Sequence, residues 1–140
     1  MPLKKAENIL VFYQKLPKYN PQYSYGKPYS SKPRPHFSEN YGKIIGGTGL
    51  SDGRRFPCNV INFNSVQRTV HPTQKPVELC EYLIKTYTDE GELVVDICAG
   101  SGTTAAACIH TNRRFICFEN APQYFALANE RIRRECEKID

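Results

Sequence analysis

The sequence predicts an α/β chain: a parallel-sheet unit with flanking helices, preceded by a basic, irregular segment. Three observations carry this. Two short apolar runs, 93–95 and 114–118, each lead into an acid (Asp96, Glu119), and a helical stretch lies between them, the order of a strand–helix–strand crossover. Two glycines, Gly100 and Gly102, sit between the first run and that helix. Charge then divides the chain near Lys75. Residues 1–75 carry twelve Lys/Arg against three Asp/Glu, whereas 76–140 carry seven against eleven, within a net charge of +5.

Taken in order, residues 8–13 (Asn-Ile-Leu-Val-Phe-Tyr) read as a strand. Residues 17–55 show no lasting period, and their prolines, glycines and serines predict a long irregular connection rather than a packed element. Residues 58–63 recover a short strand. Pro76 is suited to the first position of a helix. Val77, Cys80, Leu83, Ile84 and Tyr87 mark that helix's apolar face, and Gly91 follows as a stop. Residues 93–95 form a β-branched run expected to be covered on both faces, with Asp96 at its end. A helix begins at Thr103, a strand follows over 114–118, and a last helix spans 121–137. Ala121, Tyr124, Phe125, Ala128 and Ile132 lie on one side of that last helix. Arg131, Arg133 and Arg134 suit its C-terminal dipole as a solvated cluster.

With 140 residues the chain fits one domain with a modest core. No apolar run approaches a membrane span and the N-terminus does not read as a signal peptide, so a cytoplasmic location without a membrane partner is expected. Six cysteines show no Cys-x-x-Cys and no Cys/His ligand spacing. They are expected to be buried reduced thiols, and no metal site is expected.

The chemistry gathers at Val94-Val95-Asp96-Ile97-Cys98-Ala99-Gly100-Ser101-Gly102-Thr103-Thr104. The glycines permit a tight turn and let a ligand approach the backbone without a Cβ in the way. The free N–H groups of the following helix suit an anionic group. Glu119 stands about twenty residues after the glycines, the offset at which an acid holds ribose hydroxyls. On these residues alone the turn also reads as an ordinary β–α connection or as a dinucleotide fingerprint. In the basic half, Lys18, Lys27, Lys32, Arg34, Lys43, Arg54 and Arg55 alternate with tyrosines. A solvated linker and a nucleic-acid surface both fit that composition.

The segment His71-Pro72-Thr73-Gln74-Lys75-Pro76 separates these readings. Together with the glycine stretch and Glu119…Tyr124…Ala128…Arg131-Ile132, it resembles the C-terminal part of an S-adenosylmethionine-dependent DNA amino-methyltransferase. The resemblance is to the circularly permuted (beta-type) class that acts on adenine N6 or cytosine N4. It covers roughly the last seventy residues in the family's order and spacing, which as three motifs together is a specific signal. In the family Asp-Pro-Phe precedes the small residue and glycine; here Ile97 and Cys98 replace the Pro and Phe, which leaves the backbone cradle and weakens a side-chain contact.

The resemblance implies a partial Rossmann-like methyltransferase sheet that binds S-adenosylmethionine through Thr73, Lys75, Pro76, Asp96, Ala99, Gly100, Ser101, Gly102, Thr103 and Glu119. It implies that 1–16 include a strand from the catalytic half, that 17–70 form a recognition segment on double-stranded DNA, and that 71–140 form the cofactor part. It assigns His71 no proton-transfer role. The family's Pro-Pro-aromatic loop, which holds the target amine, has no counterpart: Pro-Pro occurs nowhere in the sequence. The nearest mimic, Asn20-Pro21-Gln22-Tyr23, has Gln in place of the second proline. No catalytic residue is therefore expected here, and a complementing catalytic half or self-association is. Adenine N6 is preferred over cytosine N4. A non-catalytic DNA- or cofactor-binding remnant and a nicotinamide-dependent oxidoreductase are the other readings.

Overall fold

The computed structural model describes residues 6–32, 35–44 and 49–138. Arg34 lies outside the described residues.

The first part is a ribbon, not an irregular connection. β1 (Ser24–Tyr25) pairs antiparallel with β6 (Arg54–Arg55), β2 (Tyr29–Ser31) with β5 (Gly49–Ser51), and β3 (His36–Ser38) with β4 (Gly42–Ile44). The three ladders are nested, so the segment is one interrupted β-hairpin. Its tip closes where the Tyr41 N–H donates to the Ser38 carbonyl and Gly42 takes a positive φ of 68°. Tyr25, Phe37, Tyr41 and Leu50 are exposed along it. The strands expected at 8–13 and 58–63 do not form: neither segment pairs, and Leu10 and Phe12 stand 72% and 86% exposed. Apolar composition favours extended backbone, but a strand also requires a neighbour to satisfy its N–H and C=O groups.

Residues 18–20 then dock on the second part. The Asn20 N–H donates to the Thr86 carbonyl at 2.7 Å, and the Asn20 amide donates to the carbonyls of Lys85 and Thr88 and to the Asp89 carboxylate. The Lys18 ammonium pairs with Asp89 (2.5 Å) and Glu92 (3.1 Å), and these bonds hold both carboxyls below the usual carboxylate range. Lys18, expected at a DNA surface, is thus engaged within the fold. The Asn20 amide is likewise committed to the end of a helix.

That helix is α1 (Val77–Tyr87), with Pro76 as its N-cap residue, one position earlier than expected. Its last turn is closed by Thr88, whose N–H and hydroxyl both donate to the Ile84 carbonyl. β7 (Leu93–Asp96), α2 (Thr103–His110) and β8 (Arg114–Cys117) form a strand–helix–strand unit. β7 and β8 are parallel, in register from Leu93 opposite Arg114 to Asp96 opposite Cys117. α3 (Pro122–Cys136) follows and packs on α2. The core is small and lies where α1, α2 and the inner face of the sheet meet. Ala105, Ala106, Ala107 and Cys108 are fully buried, and Ile84, Val77, Cys80, Val94 and Phe115 surround them. The alanines let α2 approach its neighbours closely.

Only one face of β7–β8 is covered. Val94 and Phe115 point into the core, whereas Leu93, Val95 and Ile116 point outward at 45–53% exposure, so the expectation of a doubly covered strand fails in this chain. Phe125, placed on the inner side of α3 by its spacing, is also exposed. All six cysteines are free, but only Cys108 is buried; burial pushes its thiol up to about 11. Cys58, Cys98 and Cys136 are exposed, against expectation. A polar clasp joins the three helices: the His110 ring nitrogens meet Glu81 of α1 at 2.7 Å and Glu135 of α3 at 3.0 Å. No described helix is long and apolar enough to cross a membrane.

Candidate functional site

β7 delivers Asp96 to the start of the glycine turn, and the carboxylate then holds that turn. One oxygen accepts the Cys98 N–H at 2.9 Å and the other accepts the Thr104 hydroxyl at 2.5 Å. Gly100 and Gly102 take φ of +53° and +74°, conformations that L side chains rarely adopt. The turn closes through Gly102 N–H to the Ala99 carbonyl, and Ala99 N–H reaches the Phe118 carbonyl beyond β8, each at 2.9 Å. α2 starts at Thr103 with no side-chain cap, leaving its first N–H groups free of side-chain acceptors.

β8 delivers Glu119. Its carboxylate accepts the N–H of Gly100 at 2.8 Å and of Ala121 at 2.9 Å, tying the glycine turn to the start of α3. The Ala121 and Gly100 N–H groups, in that order, hold this carboxyl below the usual carboxylate range. A cavity of about 540 Å³ opens above these groups, lined by His71, Thr73, Ile97, Cys98, Gly100, Phe118, Glu119 and Asn120. It lies at the carboxyl ends of two parallel strands, where open α/β sheets place ligands.

The structure brings together most of the expected site residues, in different roles. Thr73, Gly100 and Glu119 line the cavity. Asp96, Ala99, Ser101, Gly102 and Thr103 build the turn beneath it, with Ser101 and Thr103 buried. Lys75 and Pro76 face a separate cavity of about 720 Å³ with Asn62, Gln74 and Arg131, and the Lys75 ammonium is paired with Glu7. Arg131 departs from its expected place in a solvated cluster. Its guanidinium donates to the Ser101 carbonyl at 3.3 Å and the Thr103 hydroxyl at 3.2 Å, bracing the turn from α3. The helical spacing from Tyr124 and Ala128 to Arg131 placed all three on one face, and that was the available signal. Sequence reasoning missed His71 as a cavity residue. Its ring packs edge-on against Tyr124, with centroids 4.2 Å apart.

On the ribbon, Lys27, Lys32, Lys43, Arg54 and Arg55 are exposed, and none of them forms an ion pair among the described residues. The Arg54 guanidinium stacks over Tyr23 at 4.7 Å. No group of three or more His, Cys, Asp or Glu among the described residues is arranged to hold a metal.

A family model described as DNA methylase matches residues 3–130. Among curated relatives, the Type II methyltransferase M.HpaI of Haemophilus parainfluenzae is 38% identical over 89 residues, covering 60% of this chain and 28% of the relative. The DNA adenine methyltransferase YhdJ of Escherichia coli (strain K12) is 34% identical over 84 residues, covering 56% and 29%. The chain thus spans under a third of the length of either. A crystal structure of an M1.HpyAVI–SAM complex is 39% identical, with a TM-score of 0.46 over 49% of this chain and 34% of that one.

Proposed function

The chain belongs to the DNA methylase family, and from that premise we propose that it is the cofactor and recognition part of a site-specific DNA methyltransferase. The reaction would be methyl transfer from S-adenosylmethionine to an exocyclic amino nitrogen, adenine N6 in preference to cytosine N4, in the permuted motif order. One observation carries this most directly. Glu119, at the end of β8, is fixed beside a positive-φ glycine turn at the end of β7, with a cavity over both.

In this reading Glu119 accepts from the ribose hydroxyls through lone pairs that Gly100 and Ala121 leave free. The Gly100–Gly102 backbone lies close under the ligand, and Thr73 stands at the methionine end. Bound S-adenosylmethionine supplies a methyl group on a sulfonium, and this chain's residues orient it and exclude water from it. Lys75 and Pro76 act through the turn they terminate, because their side chains face the other cavity. Lys27, Lys32, Lys43, Arg54 and Arg55 neutralise DNA phosphates along the ribbon. Lys18 drops out of that set, since Asp89 and Glu92 already engage it. The target amine is held by a catalytic segment that meets the open edge of β7. Self-association through the same edge is the competing arrangement.

Calorimetric titration with S-adenosylhomocysteine and, separately, NAD tests the cofactor assignment. Tight binding of the first alone is expected, weakened in Glu119→Gln; NAD binding, or equal affinity of the variant, defeats it. Tritiated-methyl transfer to DNA, with and without an added catalytic half carrying a Pro-Pro-aromatic loop, tests the division of labour. Sustained turnover by the monomeric chain alone contradicts it.

A further inference from the structure

His71 ends the basic half of the chain, yet its ring sits in the cofactor cavity, held on three sides. The Thr73 N–H donates to His71 Nδ1 at 3.2 Å, and the Thr73 hydroxyl lies at the same distance from that nitrogen. A backbone N–H only donates, so Nδ1 is the acceptor and the neutral ring carries its proton on Nε2. Tyr124 packs against the ring from α3. On the third side, a Cβ added at Gly100 would lie 3.5 Å from Nε2 and from Cδ2, an ordinary contact distance. Nε2 is therefore beside the residue whose own N–H is bound by Glu119. Among the described residues Nε2–H has no hydrogen-bond partner.

This places a free donor and a carboxylate acceptor on one cavity wall, a pairing that suits a hydroxyl, which donates once and accepts as well. We infer that His71 is a ligand-contacting residue: its Nε2–H donates to a ribosyl hydroxyl that itself donates to Glu119. The inference rests on the cofactor reading above and adds to it a second residue that recognises the ribose. It gives the wall a reason to hold a histidine where an aliphatic side chain would fill the same space. Two sequence-distant parts, the turn before α1 and the strand end at Glu119, then read the same sugar.

The test uses the full chain, with S-adenosylhomocysteine and its 2′,3′-dideoxy analogue as probes. His71→Asn sets Oδ1 near the place of Nδ1, keeping an acceptor for the Thr73 N–H as in an Asx turn, and removes the Nε2 donor. Loss of one hydrogen bond to the ligand predicts about a tenfold weaker Kd for S-adenosylhomocysteine. The dideoxy analogue, which has no hydroxyl to lose, should bind wild type and His71→Asn alike. Nitrogen-15 NMR of the wild-type imidazole needs no variant: Nδ1 should read as unprotonated, and the Nε2 resonance should move with S-adenosylhomocysteine and not with the analogue. Equal losses for both probes, or none for either, would reduce His71 to a brace and overturn the inference. Failure of the wild type to bind S-adenosylhomocysteine would instead defeat the cofactor reading, and this inference with it.

Discussion

Gly102→Ala should destabilise the chain well beyond Gly100→Ala, although both glycines sit in the same turn at positive φ. At Gly102, φ +74°, an added Cβ would lie 3.0 Å from the Ala128 Cβ and 3.1 Å from its Cα, so the backbone of α3 must shift. At Gly100, φ +53°, the nearest atoms are in the His71 ring at 3.5 Å, which is ordinary contact. The left-handed conformation costs either alanine about 1–2 kcal/mol. Overpacking adds about 1–3 kcal/mol at Gly102 alone, giving a total of about 2–5 kcal/mol against a typical stability of about 5–15 kcal/mol. Urea unfolding followed by circular dichroism reads the difference, provided the slopes agree. Ala128→Gly should return much of the steric part in the double variant, even though a helical glycine alone costs about 1 kcal/mol. A coupling of about 1–3 kcal/mol between the two sites is expected. Strict additivity, or a Gly102→Ala variant as stable as Gly100→Ala, would refute the packing argument.

Two further outcomes follow from the charges. Replacing Lys27, Lys32 and Lys43 with Gln should weaken DNA binding and flatten log K against log salt, by up to about 0.9 for each phosphate left without its cation; a slope that does not change would make the ribbon a bystander. Glu135 and then Glu81 raise the pKa of His110 above its ordinary 6.5, so the clasp stabilises fully below that value and loses its contribution as pH rises through the raised folded pKa. The urea midpoints of wild type and His110→Gln should therefore converge with rising pH, from a gap below about 1 kcal/mol because the clasp is partly exposed. A gap that stays constant with pH contradicts the assignment.

The second half of the chain was legible because its signals are local. Pro76, the glycines, the acid after each strand and the 3.6-residue spacing of α1 and α3 each act within a few residues. The ribbon was not, since its order lies in cross-strand partners such as Ser24 with Arg55 and Tyr29 with Ser51, while Pro28, Pro33 and Pro35 break the alternation a strand would show. The same blindness affected long polar side chains. Lys18 and Arg131 have the composition of surface residues, and only tertiary placement gives Lys18 its carboxylates and Arg131 its turn. Within the site, Gly100 and Glu119 were readable from their spacing. His71 was not, because nothing in a Pro-bounded turn says where the ring will lie.

The outer face of the small sheet shows what the sequence encodes beyond the contacts this chain makes. Parallel sheets are ordinarily buried on both faces, and the apolar residues of β7 and β8 fall at successive positions, so neither face is polar. Arg114 N–H donates to the Glu92 carbonyl and Phe118 N–H to the Asp96 carbonyl, so the even-numbered residues of β7 are the ones bonded toward β8. Leu93 and Val95 then turn their N–H and C=O groups to the opposite edge, while their side chains form the uncovered face with Ile116. Ile97 and Phe118 carry that apolar surface up to the rim of the cavity. Under the proposed function, a segment that pairs with this edge also roofs the site, so the cover that stabilises the sheet is the one that brings the target amine to the cofactor.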